Sequence, residues 1–249
     1  VLTRAVRLLG SFDGAGTALT LSELCAKSDL PMSTTLRLAR RMLDLGLLER
    51  LDDGRFVIGI RLLELGSRAH RGNGIRAIAL PYLEELHRAT GHYVLLGVLD
   101  VDEAVVIERL SPMGPVEQMY SVGTRMPLAV TGLGLALLAF APPEFQAEHL
   151  AVPRVVQPEG VVVDPAAIRA RLARVRTERI ATISRPVGRA WASIGCPILG
   201  PGDELLAAIS VVAPPDALRP NAIRTAVVAI AGVISRQLGG AGSEQLSGP

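Results

Sequence analysis

The chain has 249 residues, 49% apolar and 20% charged, which excludes a disordered polymer and allows one large or two ordinary domains, each with a real core. Its net charge of +2 hides an asymmetry: residues 1–74 carry 11 Arg and Lys against 8 Asp and Glu, and residues 75–249 carry 15 against 16, so the whole basic excess lies in the first third. No uncharged apolar run reaches the roughly 18 residues of a membrane helix, no signal-peptide pattern stands at Val1-Leu2-Thr3-Arg4, and Cys25 and Cys196 sit alone in apolar settings, so a cytoplasmic protein without a membrane partner is expected.

Leu2, Ala5, Val6, Leu8 and Leu9 predict a first helix ending near Gly10, followed by a loop at Asp13-Gly14-Ala15-Gly16. Thr20-Leu21-Ser22-Glu23 is a capping box, so a helix starts at Leu21 and turns Leu21, Leu24 and Cys25 inward. Pro31 breaks it, and Ser33 is placed to cap a second helix. There Leu36, Ala39 and Leu43 share one face, while Arg37, Arg40, Arg41 and Asp44 share the other. Beyond Gly46, two β-prone runs flank Asp53-Gly54, a strong hairpin signal. Helix, turn, helix, hairpin is the order of a winged helix-turn-helix, whose second helix enters the DNA major groove.

Ser33, Thr34, Thr35, Arg37 and Arg41 are therefore expected to make groove and phosphate contacts, with Arg55 on the wing reaching a neighbouring phosphate. Arg37 suits base reading, because a guanidinium grips guanine through two parallel hydrogen bonds. Arg40 is the weakest candidate, since it can turn toward the wing or pair with Asp44. The modest charge excess predicts that a dimer presenting two such surfaces is needed for useful affinity.

The basic amphipathic run 60–71 reads either as a linker helix or as the last helix of the small domain, and Gly72-Asn73-Gly74 breaks it. A helix carrying Ile78, Leu83 and Leu86 follows, ending at Thr90-Gly91. Strands are expected over 93–99, 104–110, 116–122, 192–199 and 205–212, and helices over 131–139, from Asp164-Pro165 through Val175, and over 227–238, with a frayed tail from Gly239. Helices interleaved with an antiparallel sheet make an α+β domain.

The histidines, His70, His87, His92 and His149, lack metal-ligand spacing, although His87 and His92 can approach each other around a helix end. Neither a G-x-S-x-G elbow nor a P-loop occurs, so no catalytic residue, metal or cofactor is expected and the chain is read as a non-enzyme.

In the order and spacing of these parts the chain resembles the IclR family of bacterial transcriptional regulators. The stretches that carry the resemblance are Leu21-Ser22-Glu23-Leu24, Leu30-Pro31-Met32-Ser33-Thr34-Thr35, Gly46-Leu47-Leu48, Phe56-Val57-Ile58-Gly59, Pro127-Leu128-Ala129-Val130-Thr131-Gly132-Leu133-Gly134 and Ala207-Ala208-Ile209-Ser210-Val211-Val212. The resemblance implies a winged helix-turn-helix domain over 1–59, a linker helix over 60–74, a GAF-like effector and oligomerisation domain over 75–240, and a flexible tail over 241–249. It implies a homodimer, or a dimer of dimers, that binds a palindromic operator in double-stranded DNA and changes affinity when a small metabolite binds.

By the same resemblance, effectors are held by backbone amides at the start of the helix beginning at Thr131, here Gly132 and Leu133, and by polar side chains of later strands. The family's carboxylate position falls near Ile183, its cysteine near Ser193, and its two serines at Ser210 and Val212. Free N–H groups at such a helix end would form an anion site. With Ile183 and Val212 apolar, the expected effector is larger and less polar than a two- or three-carbon acid, such as an aromatic acid or a lactone-like compound; the alternative makes these two residues ordinary core. The competing functional reading is an architectural DNA-binding protein that uses its large domain only to oligomerise.

Overall fold

The computed structural model describes residues 1–12, 18–68, 70–112, 120–151, 154–156, 161–185, 191–218 and 221–240. The chain divides into two compact units, Val1–Asn73 and Gly74–Pro249. The loop expected at 13–16, residues 116–119 of an expected strand, and the tail 241–249 lie outside the described residues.

The first unit contains α1 (Leu2–Leu9) with a 3-10 turn at Gly10–Phe12, α2 (Leu21–Ser28), α3 (Met32–Asp44), β1 (Leu48–Arg50), β2 (Phe56–Ile58) and α4 (Ile60–Gly66). The capping box forms: the Glu23 N–H donates to Thr20 Oγ1 at 3.2 Å, and the Thr20 N–H donates to Glu23 Oε2 at 2.7 Å. This backbone donor holds the Glu23 carboxyl below its ordinary value. α3 starts earlier than expected, at Met32 behind Pro31, so Ser33 is not its cap. It closes through Leu47, whose N–H reaches the Met42 carbonyl at 2.9 Å, while Gly46 takes φ +68°. Leu8, Leu24, Leu38, Ala39, Met42, Leu48 and Phe56 form the core. Leu19 adds a bridge to Phe56 in the hairpin, bonded both ways at 2.9 and 2.7 Å.

α1 forms where expected and ends at Gly10; within it Leu8 is buried, while Leu2 and Val6 stay 82% and 68% exposed. The break expected at Gly72-Asn73-Gly74 is not there. α4 ends at Gly66, and α5 (His70–Thr90) then runs straight through Gly72-Asn73-Gly74. Glycine in a helix costs about 1 kcal/mol against alanine without forbidding the conformation. This helix is anchored downstream by Ala79, Leu83 and Leu86, which are fully buried.

The second unit continues with β3 (Tyr93–Asp100), β4 (Glu103–Leu110), β5 (Arg125–Pro127), α6 (Gly132–Phe140), α7 (Pro143–His149), β6 (Arg154–Val156), β7 (Val161–Val163), α8 (Pro165–Glu178), β8 (Ala181–Arg185), β9 (Trp191–Leu199), β10 (Leu205–Ala213) and α9 (Asn221–Gln237). Among the described residues, β6 and β7 pair only with each other, and the other six strands form one antiparallel sheet in the order β5-β4-β3-β10-β9-β8. The strand expected over 116–122 is not found in its described part, where Val122 and Gly123 turn into the short β5.

Strand alternation splits this unit's core into two layers. α6 and α8 cover one sheet face, against Tyr93, Leu95, Ala208 and Val212. α5 and α9 cover the other, against Val94, Leu96, Ile209 and Val211. α6 is buried from Gly132 to Ala139, and Thr131 caps it by accepting the Gly134 N–H at 2.9 Å. The helix lies almost on the strand backbones: a Cβ on Gly195 of β9 would stand 2.2 Å from the Gly132 oxygen. The resulting α+β architecture is the class expected from sequence.

Candidate DNA-reading surface and effector site

α3 turns Thr35, Leu38, Ala39 and Met42 inward, one residue off the stripe expected from sequence. Thr35 is fully buried, and its hydroxyl donates to the carbonyl oxygens of Leu30 and Pro31 at 3.4 and 3.2 Å. It therefore belongs to the fold and cannot reach a groove, which corrects its assignment as a DNA contact. Ser33, Arg37, Arg40 and Arg41 are exposed and Thr34 is half-buried. At 100° per residue, Ser33, Arg37, Arg40 and Asp44 lie on the centre of the outer face. The partner of Asp44 is Arg41, at 3.9 Å, rather than Arg40. Among the described residues, Arg37 and Arg40 have no ion-pair partner.

The wing forms as expected, with Gly54 at φ +84° between β1 and β2. Its expected phosphate contact is engaged, however. Arg55 donates from both Nε and Nη2 to Asp53 Oδ2, each at 2.7 Å. The pairing lowers the Asp53 carboxyl and raises the guanidinium. Arg50 bonds the Gly54 carbonyl at 3.1 Å and stacks over Phe56. The Asp53 pair occupies Nε and Nη2 and leaves Nη1 of the half-exposed guanidinium without a partner among the described residues.

On the α6 face of the sheet, strand register collects the effector candidates. Tyr93, Val212, Ser193 and Ile183 stand side by side across β3, β10, β9 and β8. The next row is Arg109, Leu95, Ser210, Gly195 and Ala181, crossing β4, β3, β10, β9 and β8. Ile183 and Val212 belong to the apolar cluster there, as does Tyr93. Tyr93 makes edge-to-face contacts with Tyr120 and Trp191, at centroid distances of 6.0 and 6.3 Å, so the row has an aromatic flank.

Of the two amides expected to form an anion cradle, Gly132 is engaged within the fold. The Gly132 N–H donates to Ser193 Oγ at 2.9 Å, and this helix end is packed against β9 where glycine faces glycine. Ser210 is 1% exposed, and its hydroxyl has no hydrogen-bond partner among the described residues. Burial pushes the Cys196 thiol up, on the opposite face. His87 Nδ1 lies 2.7 Å from the His92 carbonyl oxygen, and the His92 ring is pushed below its ordinary pKa by burial and then by His87. Among the described residues no group of three His, Cys, Asp or Glu could hold a metal ion, and no helix is long and apolar enough to cross a membrane.

The family model for the bacterial transcriptional regulator IclR C-terminal domain matches residues 68–237, and that for the IclR helix-turn-helix domain matches 1–52. The chain belongs to the IclR family. An IclR homolog from Microbacterium hydrocarbonoxydans, crystallised in complex with 4-hydroxybenzoate, superposes with a TM-score of 0.83 at 32% identity, covering 95% of this chain and 98% of that one. The glycerol operon regulatory protein of Streptomyces griseus is 27% identical over 96% of each chain. KipR of Bacillus subtilis, a helix-turn-helix transcriptional regulator, is 28% identical over 78% of each.

Within this IclR-family fold, Ile183, Ser193, Ser210 and Val212 come onto one patch, and Gly132 is joined to it through Ser193, while the Thr131 hydroxyl donates to the Pro127 carbonyl. Sequence reasoning missed Arg109. Its strand alternates plausibly in either register, and only the pairing with β3 shows which face the side chain takes. Tyr93, Tyr120 and Trp191 were also missed, although three of the chain's few aromatic residues meeting at one place is a compositional signal in retrospect.

Proposed function

We propose that this IclR-family regulator binds a palindromic operator as a homodimer, or a dimer of dimers, and that a small aromatic carboxylate on the α6 face modulates its operator affinity. Reading falls to Ser33, Thr34, Arg37, Arg40 and Arg41, with Arg37 reading a base. The observation that carries the effector reading is the row Tyr93, Val212, Ser193 and Ile183, apolar and aromatic-flanked with one hydroxyl. A relative at 32% identity crystallised with 4-hydroxybenzoate supports it. Exposed Leu2 and Val6 on α1, and Ile60 and Leu63 on α4, support self-association, because such side chains gain by leaving water.

Selection from a pool of random duplexes tests the DNA half. The full chain is expected to enrich an inverted repeat. Arg37→Ala should cost about 1–3 kcal/mol on that site and relax preference at one base pair per half-site. Equal weakening on every sequence would make Arg37 a phosphate clamp, and no enrichment by the unmutated chain would overturn the reading.

A further inference from the structure

We infer that Arg109 binds the carboxylate of the effector, assisted by the hydroxyl of Ser210. The inference rests on the effector reading above and assigns its charged contact. Among the described residues, Arg109 Nη1 and Ser210 Oγ are buried polar atoms without a hydrogen-bond partner. They flank Leu95 in a single cross-strand row and so face the same side of the sheet. Burying one such group unpaired is unfavourable, and more so for a charged one. Two on one face, one of them cationic, suit an acceptor-rich anion.

A β-bulge brings Arg109 there. On β4, Ala104 and Val106 face α6, and uninterrupted alternation would send Glu108 after them and turn Arg109 toward α5. The register instead shifts between Leu96 and Gly97, leaving Ile107 as the extra residue. Glu108 then stands opposite Leu96 on the α5 face, where Arg76 Nε donates to its Oε2 at 2.6 Å. Arg109 stands opposite Leu95, facing α6. One inserted residue thus removes a carboxylate from the effector face and supplies a guanidinium. Glu108, already bound by Arg76 and by the Arg109 backbone N–H at 2.8 Å, is not available to neutralise the Arg109 side chain.

The ligand chemistry follows from the surroundings. A guanidinium offers a carboxylate two parallel N–H donors. Arg109 and Ser210 sit on strands separated by one neighbour, about 10 Å apart at the backbone, a span that a long arginine side chain and a carboxylate can close. Next to them lie Tyr93 and Val212, which match a flat apolar body rather than a second charge. A monocarboxylate with an aromatic ring meets all of these requirements. With the Gly132 amide taken by Ser193, β4 supplies the charged contact.

Calorimetric titration of the full chain with 4-hydroxybenzoate, benzoate, pyruvate and the neutral isostere benzamide tests this, using the unmutated protein, Arg109→Met, Arg109→Lys and Ser210→Ala. At least one aromatic carboxylate is expected to bind the unmutated chain, with benzamide much weaker. Arg109→Met should lose about 10- to 100-fold in affinity for the acid, the span of one charge-assisted hydrogen-bonded contact, without lowering its already weak benzamide affinity. Arg109→Lys should retain part of the acid affinity, and Ser210→Ala should lose less than Arg109→Met. Far-ultraviolet circular dichroism and melting of each apo variant identify any that do not fold, and Arg109→Lys then decides. Aromatic acid binding that survives unchanged in a folded Arg109 variant overturns the assignment and leaves the effector reading standing. Pyruvate binding alone, lost in Arg109→Met, supports the anchor and overturns the aromatic reading; no carboxylate bound by the unmutated chain overturns both.

Discussion

Arg37 and Arg40 are exposed on α3 without an ion-pair partner among the described residues, so a phosphate or base need not compete with an internal carboxylate. Arg41 and Arg55 each face an aspartate. Arg40→Ala should therefore weaken binding on all duplexes alike and lower the salt slope by about one, as expected of a single phosphate contact. Thr35→Val should leave sequence preference and salt slope unchanged while lowering stability by about 1 kcal/mol, because the hydroxyl's bonds to Leu30 and Pro31 are lost. Anisotropy titrations across salt concentrations and urea unfolding separate the two. Helical spacing made the arginine face legible in the sequence. It misplaced the inner stripe, because Leu36 and Leu43 are apolar but only half-buried, whereas Thr35 is polar and buried by bonding back to its own chain.

Contact between elements is closest where α6 meets β9. Gly195→Ala would place a methyl 2.2 Å from the Gly132 oxygen, a separation no side-chain rotation can relieve. It should lower stability by about 1–3 kcal/mol or more and displace the Gly132–Ser193 bond, seen as a reduced melting temperature together with weakened acid binding. The long strands were legible as apolar β-prone runs ended by turn residues. The bulge on β4 was not, because Val105-Val106-Ile107 is apolar on either register, and only pairing with Leu96 and Gly97 selects one. β8 was missed because five residues mixing Thr, Ser and Arg carry little period-two signal. The glycines inside α5 were read as a break because local propensity carries no information about the downstream packing that holds the helix.

Across the whole molecule, the proposed function requires that occupancy of one unit change the other. The covalent path is α4 and α5, and Arg76 ties α5 to Glu108, the residue beside the proposed carboxylate anchor. On the proposal, an acid held by Arg109 would load a backbone whose N–H is held by that same Glu108. Such coupling requires that acid and operator alter each other's affinity by the same factor, commonly 5- to 150-fold. The deciding measurement is the anisotropy of a labelled selected operator bound by the full chain, titrated with 4-hydroxybenzoate. Operator affinity is expected to change at least about 5-fold at saturating acid, with a reciprocal change in acid affinity when operator is present. An operator affinity that stays constant while the acid is fully bound would contradict the account.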